Sequence, residues 1–229
     1  KMSKRVFIFT LFAVMLLCTP VLWAQHYIGV RGGAGGGGVR FKPHVEKSFL
    51  WGSPVGGVAY KYYGGDRFVG GVEVDVNLVK KGYRTYPRVD SDSTYQRTLT
   101  AIELPFMWQP HVTFFKNKAR FFINAGPYIS YNISSREKLT SKKRGLMYDR
   151  EYKLDNLVDN RLEYGLSCGA GFGVSIKRFE ITAEFRYVLG FSDIFKNPNK
   201  NPNSSFYESP IDQMNVTIGL FYRINKPKN

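Results

Sequence analysis

Apolar and polar residues alternate one by one over much of the chain. The longest run is Leu162 to Lys177. Its even positions are Leu162, Tyr164, Leu166, Cys168, Ala170, Phe172, Val174 and Ile176, and its odd positions are Glu163, Ser167, Ser175, Lys177 and four glycines. A period of two belongs to a β-strand with one apolar and one polar face. The same alternation recurs in Phe68 to Leu78, Thr98 to Val112, Arg120 to Ile133, Phe179 to Leu189 and Met214 to Ile224. Two glycine-rich segments, Tyr27 to Gly35 and Pro54 to Tyr63, complete a set of eight predicted strands.

The connections alternate in length, and this suggests the topology. Gly64-Gly65-Asp66, Phe115 to Lys118 and Lys177-Arg178 are tight turns, whereas Gly36 to Ser53, Lys80 to Arg97, Ser134 to Asn160 and Phe191 to Pro210 are long and polar. Short turns at one end and long loops at the other predict an all-β fold, an eight-stranded antiparallel up-and-down transmembrane β-barrel with periplasmic turns and extracellular loops. Alternation alone does not say which face points inward, so a soluble sandwich or lipocalin-like barrel is the competing fold. One face is rich in glycine and charge while the other carries aromatics near the strand ends. That favours the membrane barrel.

The N-terminus reads Lys1, Lys4 and Arg5, then an apolar run from Val6 to Leu17, then Thr19 to Gln25. Basic, apolar and small residues in that order predict a secretory signal peptide over 1–24 and a barrel domain over 25–229. Leu17 before Cys18 argues against a lipid-modified cysteine. Beyond this segment no stretch approaches the roughly 18 apolar residues of a membrane helix. Removal of the leader leaves Cys168 as the one cysteine, which excludes an internal disulfide and a multi-cysteine metal site.

Composition agrees with a strand-rich chain: 15 Tyr and 18 Phe stand among 229 residues. The formal charge is +15, three of which sit on Lys1, Lys4 and Arg5, leaving +12 on the exported part. In an exported protein such charge points to anionic lipid, lipopolysaccharide or an acidic envelope partner, and away from nucleic acid.

Several segments carry a family resemblance: Ile102-Glu103-Leu104-Pro105-Phe106, Ile123-Asn124-Ala125-Gly126-Pro127-Tyr128, and Phe185-Arg186-Tyr187 followed by Leu189-Gly190, behind a leader ending Trp23-Ala24-Gln25. From about Tyr27 to Ile224 the chain resembles the PorT-like outer-membrane β-barrels of Bacteroidetes, often labelled "porin family". The resemblance implies outer-membrane location, with one branch of the family serving type IX secretion. No residue pattern here points to that branch.

Candidate chemistry is sparse. The GxGxxG spacing of Gly33, Gly35 and Gly38 lies in a run of glycines and opens no helix. His26, His44 and His111 have no metal-site spacing, and only His44 falls in a predicted outer loop, so neither a catalytic site nor a cofactor is predicted. The polar face sets Arg31, Lys61, Arg120, Arg186 and Arg223 against Glu73, Asp75, Glu103, Glu163 and Glu184. Eight strands leave a bore only wide enough for side chains, so these charges are expected to pair as a plug. Arg136, Lys138, Lys142, Lys143, Arg144 and Arg150 crowd the third outer loop as a candidate lipopolysaccharide contact. The function expected is a non-enzymatic membrane scaffold or surface interaction protein acting through its outer loops. The alternatives are a small diffusion pore and an accessory of type IX secretion.

Overall fold

The computed structural model describes residues 25–42, 47–64, 70–86, 93–115, 118–196 and 208–225. The leader read over 1–24 and His44 lie outside them. The described residues form nine strands: β1 (Gln25–Val39), β2 (Lys47–Tyr63), β3 (Gly70–Thr85), β4 (Ser93–Phe114), β5 (Ala119–Ser141), β6 (Gly145–Tyr152), β7 (Leu162–Ile176), β8 (Phe179–Gly190) and β9 (Ile211–Arg223). Eight of them form a ring. Each pairs antiparallel with its neighbour in the order β1-β2-β3-β4-β5-β7-β8-β9, and β1 pairs with β9 from Tyr27↔Arg223 to Val39↔Ile211. Closure of this kind leaves no ring strand with an unpaired edge.

Inside and outside are set by which face is buried. Glu73, Asp75 and Asn77 are buried, while Val74, Val76 and Leu78 between them on β3 are exposed. On β7, Leu162, Tyr164 and Leu166 are exposed and Glu163 and Ser167 buried. The apolar face therefore points out, which is the reverse of a soluble barrel, and only a hydrocarbon surround makes such a surface favourable. On β5 the exposed apolar residues run from Phe121 to Ile133. Twelve steps of about 3.3 Å, on strands tilted by about 40°, give a band about 30 Å tall, the thickness of a bilayer core. Exposed aromatics flank it, with Trp108, Phe114, Phe179 and Tyr222 toward the turns and Trp51, Tyr131, Tyr164 and Phe191 toward the loops.

The strands run past the band at the loop end, so the long connections are shorter than the sequence predicts. β3 continues to Thr85 and β4 begins at Ser93. The stretch Ser134 to Asn160, read as a loop, is largely sheet: β5 extends to Ser141 and turns back as β6, which pairs with β5 from Ser135↔Tyr152 to Ser141↔Gly145. The glycine run of β1 is also strand, paired on both sides.

Irregularities mark the loop-end rim. Thr100 faces Ser134 while the next residue, Ala101, faces Asn132, so Ile133 is an extra residue in β5. A bulge of this kind switches which residues face outward. Below it the odd positions Phe121, Ile123, Ile129 and Tyr131 point out, and above it the even positions Arg136 and Lys138 do. Gly52 takes φ +83° where the β2–β3 register shifts, a conformation that favours glycine. At the turn end, glycines admit rings to the bore: a Cβ on Gly219 would lie 2.5 Å from Cε2 of Phe221, which is fully buried.

Arginine at Ile129, near the middle of the band, is expected to cost about 2–4 kcal/mol of folding stability in lipid vesicles, read by urea titration. A cost near zero would mean that this face meets water.

Candidate functional site

Charged side chains fill the bore in layers, each joining strands that stand apart in the ring. The central layer holds Arg31 of β1, Lys61 of β2, Glu73 and Asp75 of β3, and Glu184 and Arg186 of β8. Arg186 reaches Asp75 at 2.8 Å, Glu73 at 3.0 Å and Glu184 at 2.6 Å. Arg31 pairs with Glu73, with Asp75 at 3.3 Å and with Glu184 at 3.2 Å. Lys61 lies 3.3 Å from Glu73 and stacks 3.9 Å over the Phe221 ring. The Asn124 amide donates to Glu184 at 2.8 Å and the Gln109 amide to Glu73 at 2.8 Å. Buried charges persist only when compensated in this way.

Toward the loops, Lys81 of β3 pairs with Glu163 of β7 at 2.5 Å, and the Asn132 amide donates to the same carboxylate at 2.6 Å. Glu103 of β4 accepts from the Gln213 amide of β9 at 3.0 Å, directly across the ring. Among the described residues it has no cation within 4 Å. Beside it lies a cavity of about 10 Å³ bounded by Asn77, Arg186, Asn215 and Thr217, room for about one water molecule. Toward the turns, Arg120 pairs with Glu180 at 2.6 Å and stacks 3.7 Å over Tyr63.

Apolar clusters lie toward both ends. Tyr27, Ala59, Tyr63 and Phe221 pack at the turn end. At the loop end Val39, Phe41, Tyr83, Leu99, Leu154, Ile194 and Ile211 form a cap. Arg97 holds it: its guanidinium lies 4.3 Å from the Tyr152 ring and 5.2 Å from the Phe195 ring, and pairs with Asp159 at 2.8 Å. The segments that supply Leu154 and Ile194 are zipped together by Asn160 N–H to Ile194 C=O (2.9 Å) and Lys196 N–H to Val158 C=O (2.7 Å).

Of the ten charges predicted for the bore, nine are buried there: Arg31, Lys61, Glu73, Asp75, Glu103, Arg120, Glu163, Glu184 and Arg186. Arg223, at the end of β9, is half-buried, and among the described residues no carboxylate lies within 4 Å of it. Sequence reasoning missed Lys81, Arg97, Asp159 and Glu180. The first two continue the inward parity of Glu73 and Glu103, and stopping those strands early hid them. With Glu137, the buried set is eight carboxylates against six cations among the described residues. The bore is thus mildly acidic, where five of each sign had been read.

The six basic residues of the third outer segment divide in two. Arg136, Lys138 and Arg150 face carboxylates across the β5–β6 ladder, in the pairs Arg136↔Glu151, Lys138↔Asp149 and Glu137↔Arg150. Arg136 reaches Asp149 at 2.6 Å and Arg150 reaches Glu137 at 3.4 Å. Opposite charges across a strand pair attract, and on this exposed ladder water screens them. Lys142, Lys143 and Arg144 form the exposed turn between the strands. Nine steps of about 3.3 Å from Ile133 to Lys142 put that turn about 30 Å along the strand from the end of the apolar band. Of the histidines described, His26 meets Tyr60 at 2.5 Å and His111 packs on Tyr63, on separate parts of the wall.

A family model described as outer membrane protein beta-barrel domain matches residues 23–196. No curated protein matches the chain. Similar solved structures include Neisserial surface protein A (12% identity, 88% of this chain and 99% of that one, TM-score 0.42). OprG from Pseudomonas aeruginosa is 12% identical over 89% and 97%, with a TM-score of 0.48. Ail, the attachment invasion locus protein of Yersinia pestis, is 11% identical over 86% and 99%, with a TM-score of 0.40.

Truncating Arg186 to alanine leaves Glu73, Asp75 and Glu184 to Arg31 and Lys61 alone and is expected to cost about 3–5 kcal/mol in urea unfolding from vesicles. Glu103→Gln, which removes a buried charge lacking a cation partner, is expected to be neutral or stabilising in the same titration.

Proposed function

The chain belongs to the outer membrane protein beta-barrel domain family, and on that premise we propose that it is a non-enzymatic surface interaction protein whose barrel is a closed scaffold for the β5–β6 hairpin. The observation that carries this reading is the contrast between a filled bore and a projecting, highly charged hairpin. Charge pairs cross the bore at several levels, the cavity beside Glu103 has room for about one water, and apolar clusters lie toward both ends. Transport through such a bore would require breaking ion pairs in a confined space. The diffusion-pore alternative therefore needs a conformation other than this one.

Above the membrane the charge balance reverses. Lys142, Lys143 and Arg144 follow one another in the exposed turn, and Arg136 and Lys138 point outward just above the lipid band. This arrangement suits the phosphate groups of lipopolysaccharide, met first by Arg136 and Lys138 and farther out by the turn. Export through the leader over 1–24 and placement among PorT-like barrels belong to the same reading. No observation favours a place in type IX secretion.

Two measurements test it. Protein refolded into planar bilayers is expected to show no stepwise conductance, and reproducible channels would replace the scaffold reading with the pore. Reversing Lys142, Lys143 and Arg144 to glutamate is expected to weaken binding to lipopolysaccharide-containing vesicles, most at low salt. Unchanged binding would remove the turn from the contact.

A further inference from the structure

We propose that the free edge of β6 is a docking edge for an extended segment of another polypeptide, which joins the sheet from outside the cell as an added strand. The proposal rests on the surface-protein reading and names its partner. Every ring strand has two neighbours, whereas β6 pairs with β5 alone among the described residues. Six of its eight residues are exposed, among them Leu146 and Met147. An edge strand offers a row of N–H and C=O groups to any strand that can lie beside it. Below the rim hydrocarbon forbids such an edge, but β6 stands above it, where water satisfies those groups until a partner replaces it.

The edge is short, charged and interrupted by an extra residue at Met147, where the β5–β6 register shifts. Proline and lysine, which blunt many edge strands, do not occur in Gly145–Tyr152. Its side chains define the partner instead. Asp149 and Glu151 lie on one face, with Asp149 held by Arg136 at 2.6 Å, and Arg150 lies between them on the other face. The complementary strand carries two basic residues at alternate positions with an acidic residue between them, then apolar residues against Leu146 and Met147.

A second copy in the same membrane does not fit. Antiparallel edge pairing relates two copies by a two-fold axis perpendicular to the sheet. This sheet is the barrel wall and stands upright, so the axis lies in the membrane plane and would invert the second molecule. Pairing about an upright axis runs the two strands parallel and turns their faces opposite ways, so residues at one level point to opposite sides and the pleats do not mesh.

The test uses the full chain refolded in vesicles and a blocked eight-residue peptide. The peptide places lysines opposite Asp149 and Glu151, glutamate opposite Arg150, and valines opposite Leu146 and Met147. Two further versions are N-methylated at alternate amides, one set directed at β6 and the other away. Saturable binding is expected for the parent peptide. One methylated version should lose at least about tenfold in affinity while the other keeps it, the signature of backbone pairing. The double variant Asp149→Lys, Glu151→Lys, with folding checked by its heat-dependent gel shift, should lose about tenfold as well. Equal binding of all three peptides, or none at all, overturns the proposal, as does peptide binding that competes with self-association. Peptide failure with lipopolysaccharide binding intact sinks the edge and leaves the surface-protein reading. Failure of both sinks both.

Discussion

A chain in hydrocarbon has no water to satisfy its backbone, and every other feature of this protein depends on how that demand is met. The solution is the pairing of β1 with β9, which removes the edges of an eight-stranded sheet. Once the ring closes at eight strands its bore has room only for side chains. The outward face must then be apolar, and the inward face must supply its own solvation. Arg31 and Arg186, each shared among Glu73, Asp75 and Glu184, take the place of water. This network fixes which residues face inward, because a slip of one residue would place these charges in lipid.

Much of this fold was legible in the alternation of Leu162 to Lys177 and its counterparts, because a period of two is imposed wherever two sides of a strand meet different surroundings. The pattern is silent on which side is which, and the burial of Glu73 with the exposure of Val74 decides it. Strand ends were the weak point. Lys81 and Arg97 keep the inward parity, but they lie among polar residues on both faces, where alternation loses its contrast. β6 was invisible for the same reason: Asp149, Arg150 and Glu151 in succession show no period, and their order is set by the charges of β5 opposite them. Asp159 lies in a connection, and nothing in its neighbours announces the pairing with Arg97.

The partition of charge links the two halves of the molecule. Among the described residues buried carboxylates outnumber buried cations, so the excess of cations among them lies on the exposed and half-buried positions. A basic exterior above a mildly acidic bore attracts anions to the hairpin and gives them no favourable path inward. The outer cap works in the same direction, since Arg97, Tyr152 and Phe195 join the base of the hairpin to the closure of the mouth.

The extra residue at Ile133 has a consequence for how such a protein can change over time. By resetting the inside-outside parity at the rim, the bulge reverses the faces of the upper part of β5 relative to the wall below while keeping it paired with β4, from Thr100↔Ser134 to Ser93↔Ser141. Residues can be added to or removed from the hairpin in matched pairs, and its charges exchanged, without turning any wall residue toward the wrong solvent. The part of the protein beyond the membrane is thereby free to diversify on a scaffold that is not, and one misaligned residue marks the border between them.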